Sequence, residues 1–305
     1  MKEYAAAVIG GGPAGMTAAL YLLRSGVSVA VVERFAPGGQ MLSTEIIENY
    51  PGYPGGIKGY ELADRMADQL KDFPHDVYRQ EVRTVEHQPG RNILRLDEDS
   101  IQAKAVIICS GVVWKRLGLE REEVFIGRGI SYCALCDANF FKGQAVAAVG
   151  GGNTALEESI HLSKIVAKVY LIHRRDAFRG DKIFQDRIQK IANIQCIMNS
   201  VVTELLGDDH LTGLKLKRLS DGLESRLDVS ALFVFVGSHA PTGFVPKDLR
   251  LGPDGFIVTD QEMRTNLPGV FAAGDVRDKL CRQVAAAVGD GATAAHSASL
   301  YLNQL

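Results

Sequence analysis

Short apolar runs closed by glycine or by a charged residue recur along this chain and alternate with segments of helical period. Residues 5–9 predict a buried strand, residues 16–25 a helix, and residues 27–32 a second strand ending at Glu33. An amphipathic helix is expected over residues 61–71, then strands between 76 and 96 around a turn at Pro89-Gly90. Residues 105–109 form another buried run, closed by Ser110-Gly111, and the regular pattern stops between Trp114 and Gly118, which predicts a domain boundary. The rhythm then restarts: a strand over 145–149, a helix over 156–163 and a strand over 168–172. Residues 193–236 read as short strands with turns at Gly207-Asp208-Asp209 and Asp221-Gly222, expected to complete a second sheet. Residues 241–245 mark a return to the first domain, and 283–301 form a long helix rich in Ala and Gly.

The two strand–helix–strand blocks carry the same kind of turn. In the first, Gly10-Gly11-Gly12-Pro13-Ala14-Gly15 joins strand to helix: Gly10 permits the tight turn, Gly12 lets backbone approach a pyrophosphate, and Gly15 lets helix and strand pack closely. Phosphates then face free N–H groups at the helix start, and Glu33 is placed to accept hydrogen bonds from an adenosine ribose. A glycine turn in a plain α/β domain would leave Glu33 without a reason. The second block repeats the unit with Gly150-Gly151-Gly152-Asn153-Thr154-Ala155, but its second strand ends in His173-Arg174-Arg175, with Arg179 beyond. An acid there would repel a 2′-phosphate, whereas guanidinium groups bind one in bidentate fashion, so the second site is expected to choose NADP(H). Alone, such a basic cluster would read as a solvated turn.

With 305 residues the chain has room for two domains with their own cores, and 32 glycines without a low-complexity tract suit an α/β protein that brings backbone close to ligands. A formal charge of −2, with acids and bases interspersed, gives no reason to expect nucleic acid or an anionic membrane as partner. The start of the chain does not suit a signal peptide, and no apolar run reaches the ~18 residues of a membrane helix, so a soluble cytoplasmic protein is expected. Five cysteines is an odd number without framework spacing, which suits a reducing compartment. Cys109 and Cys196 sit in strand-like runs and read as inert. Cys133 and Cys136 differ, since the Cys-x-x-Cys spacing lets each sulfur favour ionisation of the other and an acid, Asp137, follows at once. The rival readings are half of a zinc site, which would need two further ligands that the scattered Cys109, Cys196 and Cys281 do not offer as a pair, and an idle pair. Position favours redox, because the pair lies between the two glycine turns. Near the end, Gly274-Asp275 follows a strand and could hold a ribityl hydroxyl, and the helix start at Gln283 could bond the pyrimidine edge of a flavin. The other reading of that helix is close packing in a core.

These residues together, with Gly38-Gly39-Gln40, Glu48-Asn49-Tyr50-Pro51-Gly52 and Arg282-Gln283-Val284, resemble the low-molecular-weight thioredoxin reductases over essentially the whole chain. The resemblance implies an α/β fold of two Rossmann-like three-layer domains. A discontinuous FAD-binding domain (1–115 and 243–305) would take the inserted NADPH-binding domain (116–242) that carries the cysteines. In that family the domains rotate so that the pair faces flavin and solvent in turn. It implies FAD held by Gly10, Gly12, Pro13, Ala14, Gly15, Glu33, Gly39, Gln40, Asn49, Gly111, Gly274, Asp275, Arg282, Gln283 and Val284. NADPH would be held by Gly150, Gly152, Asn153, Thr154, Ala155, His173, Arg174, Arg175 and Arg179. Cys136 would lie against the flavin as the charge-transfer thiolate, Cys133 would attack the disulfide of thioredoxin or a thioredoxin-like protein, and Asp137 would move a proton. A homodimer is implied, with no metal, nucleic acid or membrane. The chain departs from the family at Ala138, where glycine is usual, at Gly111-Val112-Val113-Trp114, and at Cys281, usually bulky and uncharged. The alternatives are a flavin-dependent disulfide reductase with another donor, such as ferredoxin, or another acceptor, and a non-enzymatic flavin-binding sensor.

Overall fold

The structure, a computed structural model, describes residues 1–44 and 46–305. The chain begins with β1 (Lys2–Ile9), α1 (Pro13–Arg24) and β2 (Val29–Val32). Two short strands, β3 (Ile46–Ile47) and β4 (Ile57–Lys58), lead into α2 (Gly59–Asp68), which starts and ends earlier than its apolar period predicts. Then come β5 (Asp76–Tyr78), β6 (Val82–Gln88), β7 (Arg91–Leu96) and β8 (Ser100–Ile108). After β9 (Val113–Trp114) follow α3 (Glu122–Phe125), β10 (Ile130–Ser131) and α4 (Ala134–Asp137). The second repeat is β11 (Ala145–Gly150), α5 (Asn153–Ser163) and β12 (Lys168–Ile172), continued by α6 (Lys182–Gln189). Next are β13 (Ile194–Ile197), β14 (Ser200–Leu206), β15 (Gly213–Arg218), β16 (Glu224–Asp228) and β17 (Ala231–Phe235). The chain closes with β18 (Ser238–His239), β19 (Val270–Ala272) and α7 (Val284–Leu302). The fold separates into two compact units, Met1–Val113 with His239–Leu305, and Trp114–Ser238.

In the first unit the sheet runs β5-β2-β1-β8-β7-β6, with β19 also on β8. β8 is longer than its apolar run because it serves two neighbours on one edge: Ser100 to Ala103 pair antiparallel with β7, and Val106 to Ile108 pair parallel with β19. A strand from the end of the chain thus completes a sheet begun by residue 2. Its companion α7 packs on α1 so closely that a Cβ at Gly291 would lie 2.3 Å from the Ala14 carbonyl oxygen.

In the second unit the parallel sheet runs β10-β17-β11-β12-β13. Its strands are buried on both faces, and alternate residues of β17 serve different cores: Ala231, Phe233 and Phe235 pack under α5 and α6, Leu232 and Val234 on the other side. That other side is covered by β14-β15-β16, a separate antiparallel sheet. Here the sequence reading needs correction, since residues 200–228 do not complete the parallel sheet. Their alternation of buried and exposed positions makes a one-faced ribbon, whose apolar side can only be hidden by lying flat on another layer.

The α1–α7 contact yields a stability prediction. Gly291→Ala should destabilise the protein by about 1–3 kcal/mol through overpacking. In the same helix Gly289, where a Cβ would meet nothing, should gain up to about 1 kcal/mol from alanine. Thermal unfolding midpoints of the two variants should therefore move in opposite directions.

Candidate active site

Two glycine cradles and one cysteine turn make up the site. At the first cradle Gly10 has φ +105°, and a Cβ there would fall 2.4 Å from the Cys109 carbonyl oxygen; one at Gly15 would fall 1.8 Å from the carbonyl oxygen of Gly10. Neither position has room for a side chain. Gly12 is different: its Cβ would meet nothing, so its bareness serves a ligand, not the packing. No side chain caps α1 among the described residues, which leaves its first N–H groups free for an anion. Glu33 stands beside them, Oε2 accepting from the Gly11 N–H at 2.7 Å and Oε1 from Phe35 at 2.9 Å.

Three remote segments converge on this cradle. The N–H of Gly38 donates to the Gly11 carbonyl at 2.8 Å, and a Cβ at Gly39 would come 3.2 Å from the Gly12 Cα. Gln40 donates to the Val112 carbonyl, next to Gly111. Asn49 donates to the side-chain oxygen of Gln283 at 3.0 Å, and Gln283 is the residue before α7. Gly274, at φ +79°, packs against Ala14, which brings Asp275 to the cradle's edge. Burial pushes the Asp275 carboxyl above its usual range, opposed by Lys279 and Arg282. Lys279 stands 3.6 Å from Asp275 Oδ1, beyond hydrogen-bond reach. That oxygen, Ser110 Oγ and Arg282 Nε are buried in this unit without hydrogen-bond partners. Buried polar atoms are rarely left so, and three orphans beside an anion cradle fit a ligand with both phosphates and hydroxyls, as FAD has.

The second cradle repeats the design with altered chemistry. A Cβ at Gly150 would fall 2.4 Å from that of Ala155, so here the helix position accepts alanine and the strand position cannot. Gly152, like Gly12, would aim a Cβ into open space, and α5 also lacks a side-chain cap among the described residues. His173 takes the place that Glu33 has in the first unit. It is buried, a Cβ at Gly151 would collide with its ring, and its Nε2 lies 3.1 Å from the Ala177 carbonyl. Burial depresses its pKa, so it supports the turn as a neutral ring. Arg174, Arg175 and Arg179 reach solvent, and among the described residues none pairs with an acid. The Arg179 and Gly180 N–H groups both donate to the Gly151 carbonyl, at 2.7 and 3.0 Å, and Asn153 exchanges two hydrogen bonds with Asp181. The arginine loop is thereby tied to the cradle, while Thr154 is exposed at the start of α5. An exposed, unpaired cluster fits the extra phosphate of NADPH.

Cys133 and Cys136 are joined in a disulfide with their Cα atoms 5.4 Å apart. Cys133 stands just before α4, and the Asp137 N–H closes the turn on its carbonyl at 3.2 Å. Ser131 organises both ends, donating to Asp137 Oδ2 at 2.6 Å and accepting from the Cys133 N–H at 3.1 Å. Burial raises the Asp137 carboxyl above its ordinary range, with the Ser131 hydroxyl opposing. The preceding Tyr132 stacks on Trp114 and donates to Glu122 at 3.0 Å. Ala138 is buried directly after the turn.

The family model described as pyridine nucleotide-disulphide oxidoreductase matches residues 4–291. The chain belongs to that family. It is 42% identical to the thioredoxin reductase of Listeria monocytogenes over all of this chain and 95% of that one. Its structure resembles that of thioredoxin reductase from Streptococcus pyogenes with a TM-score of 0.95, at 42% identity over 99% of both chains. The thioredoxin reductase from Giardia duodenalis matches with a TM-score of 0.90, at 33% identity over 99% of this chain and 100% of that one.

Within this pyridine nucleotide-disulphide oxidoreductase, three carboxylates that the sequence reading did not single out organise the site. Glu158 on α5 accepts from the Ala134 N–H at 3.1 Å and from Leu135 as well. Asp290 on α7 accepts from the Gly274 N–H at 3.1 Å and from Lys279 at 2.9 Å, and pairs with Arg277 at 2.9 Å. Asp290 thus locks the turn that presents Asp275. As the only acid in α7 it was open to notice; Glu158, half of an ordinary Glu-Glu pair, was not. The buried Glu122 accepts from the N–H groups of Leu117, Gly118 and Leu119 as well as from Tyr132.

The Asp137 shift has a testable sign. Below the unfolded carboxyl's pKa of about 4 both states hold the proton, and as pH rises through the elevated folded value the native state comes to bear an unfavourable buried charge. Asp137→Asn removes that term. Its denaturation midpoint should match the wild type near pH 3.5 and exceed it increasingly toward neutrality, as urea titrations across that range would measure.

Proposed function

We propose that this chain is an NADPH-dependent thioredoxin reductase, carrying electrons from NADPH by way of FAD to the Cys133–Cys136 disulfide and on to the disulfide of thioredoxin or a thioredoxin-like protein. The observation that carries the reading is a closed Cys-x-x-Cys pair in a chain with two dinucleotide cradles that differ at one position. Glu33 ends the second strand at one cradle, and buried His173 with three exposed arginines ends it at the other. The first unit, with its orphaned Ser110, Asp275 and Arg282 atoms, is the FAD-binding one, and Gln40, Asn49, Gly111, Gln283 and Val284 lie toward the ribityl and ring. The second unit takes the NADPH diphosphate on the loop from Gly150 to Ala155 and its 2′-phosphate on Arg174, Arg175 and Arg179. No helix is long and apolar enough to cross a membrane among the described residues, and we place the enzyme in the cytoplasm as a homodimer.

When bound, the two cofactors supply a hydride and relay its electron pair; the remaining chemistry belongs to the chain. Reduction opens the disulfide to two thiols. The Cys133 thiolate attacks the partner's disulfide, forming a mixed disulfide and expelling one partner thiolate, which Asp137, kept protonated to unusually high pH by burial, can protonate. Cys136 then attacks Cys133, releases the second partner thiolate and restores the ring.

Cys133→Ser should leave anaerobic bleaching of the flavin by NADPH intact and reduce thioredoxin reduction to background. Bleaching only by reduced ferredoxin would assign another donor, and turnover by the variant would remove the pair from the mechanism. Replacing Arg174 and Arg175 with alanine should raise KM for NADPH about tenfold to a hundredfold, since each charge-assisted hydrogen bond contributes about 1.5–3 kcal/mol, and should leave KM for NADH nearly unchanged.

A further inference from the structure

We infer that Glu158 is a positioning residue that sets the reducing power of the cysteine pair: its carboxylate occupies the two backbone donors beside Cys133 and keeps negative charge next to the site where the reduced pair ionises. This deepens the proposed function and rests on Cys133–Cys136 being its redox centre.

The argument starts from the turn. The N–H groups just after the first cysteine of a Cys-x-x-Cys turn are among the groups that favour its thiolate. Here Ala134 donates to Glu158 Oε2 at 3.1 Å and Leu135 donates to the same carboxylate. Those donors are taken, and what takes them is an anion. The other titratable groups around the turn offer no compensating cation among the described residues. Asp137 on the turn itself is bonded to Ser131, Tyr132 on the preceding segment is bonded to Glu122, and Glu157 adjoins Glu158 on α5. Glu158 is itself partly buried, its carboxyl pushed upward by burial, so solvent screens its charge less than at the surface.

The consequence for redox follows from charge. When a dithiol reagent reduces the pair, the sulfur–sulfur bond takes up two electrons and two protons, and the reagent closes to its own disulfide. Above the pKa of the more acidic thiol, one of those protons passes on to solvent. The neutral disulfide is indifferent to Glu158, whereas the ionised dithiol is repelled by it. The carboxylate therefore shifts the equilibrium toward the disulfide and makes the dithiol a stronger reductant toward its partner. Because Glu158 lies on the helix that opens with Gly152-Asn153, one rigid element also ties the cysteine turn to the nucleotide cradle.

The test is a redox titration of the holoenzyme in dithiothreitol buffers at pH 8.5, quenched in acid, denatured and alkylated. The reduced chain presents all five cysteines, and the oxidised one presents five less the two in the disulfide. Glu158→Gln, which keeps an acceptor oxygen and loses the charge, should move the equilibrium about tenfold toward the dithiol, equivalent to about 30 mV for two electrons. Glu158→Asp, which keeps the charge, should remain with the wild type. An unchanged equilibrium in Glu158→Gln, or an equal shift in Glu158→Asp, overturns the inference. If Glu158→Gln does not fold, the wild type alone decides through the pH profile of iodoacetamide alkylation. A first thiol titrating near or above the free-cysteine value of about 8.5 supports the inference, and one titrating below about 7 overturns it. Failure of the wild type to reduce thioredoxin would refute the proposed function while leaving both equilibria readable.

Discussion

The constraint beneath the whole structure is steric: at two places backbone must approach backbone more closely than a side chain allows. A Cβ at Gly15 would lie 1.8 Å from the Gly10 carbonyl oxygen, and one at Gly150 would lie 2.4 Å from the Cβ of Ala155. Both approaches draw a helix start tightly against the end of a buried strand, where uncapped N–H groups and the helix dipole favour an anion. The bare faces of Gly12 and Gly152 keep that place open. Each sheet then serves as a platform for one cradle, and each core exists to hold the platform rigid.

The two cradles show how little chemistry must change for one architecture to accept two ligands. In both, the residue after the second strand packs against the middle glycine of the loop. Glu33 touches Gly11 with its carboxylate and accepts that N–H, while His173 fills the same space over Gly151 with an imidazole whose charged form burial disfavours. The carboxylate can meet ribose hydroxyls and would repel a further phosphate. The neutral ring removes the repulsion and lets the arginines after it supply the attraction.

The cysteine turn is organised almost wholly by carboxylates and hydroxyls. Ser131 links Asp137 to the Cys133 N–H, Glu158 holds the next two N–H groups, and Glu122 gathers a loop and Tyr132 beneath the preceding residue. An acid whose burial keeps it protonated suits proton delivery to a leaving thiolate, and an acid fixed beside the pair suits control of its ionisation. The same partial burial that gives these groups unusual pKa values also places the pair in a setting little screened by water.

The residues alone determined the repeated strand–glycine turn–helix unit, the contrast between Glu33 and the arginine cluster, and the pairing of Cys133 with Cys136. Each is encoded within a few consecutive positions, where steric limits and spacing act directly. The N-terminal edge of β8 and the independent β14–β16 sheet were not legible, because an alternating strand states which of its faces is apolar but not which layer will cover it. Nor were Glu158, Asp290 and the meeting of Asn49 with Gln283, whose partners lie 24, 16 and 234 positions away. Hydrogen bonds between distant segments depend on where the folded backbone leaves a donor without a partner, and only the packed tertiary structure decides that.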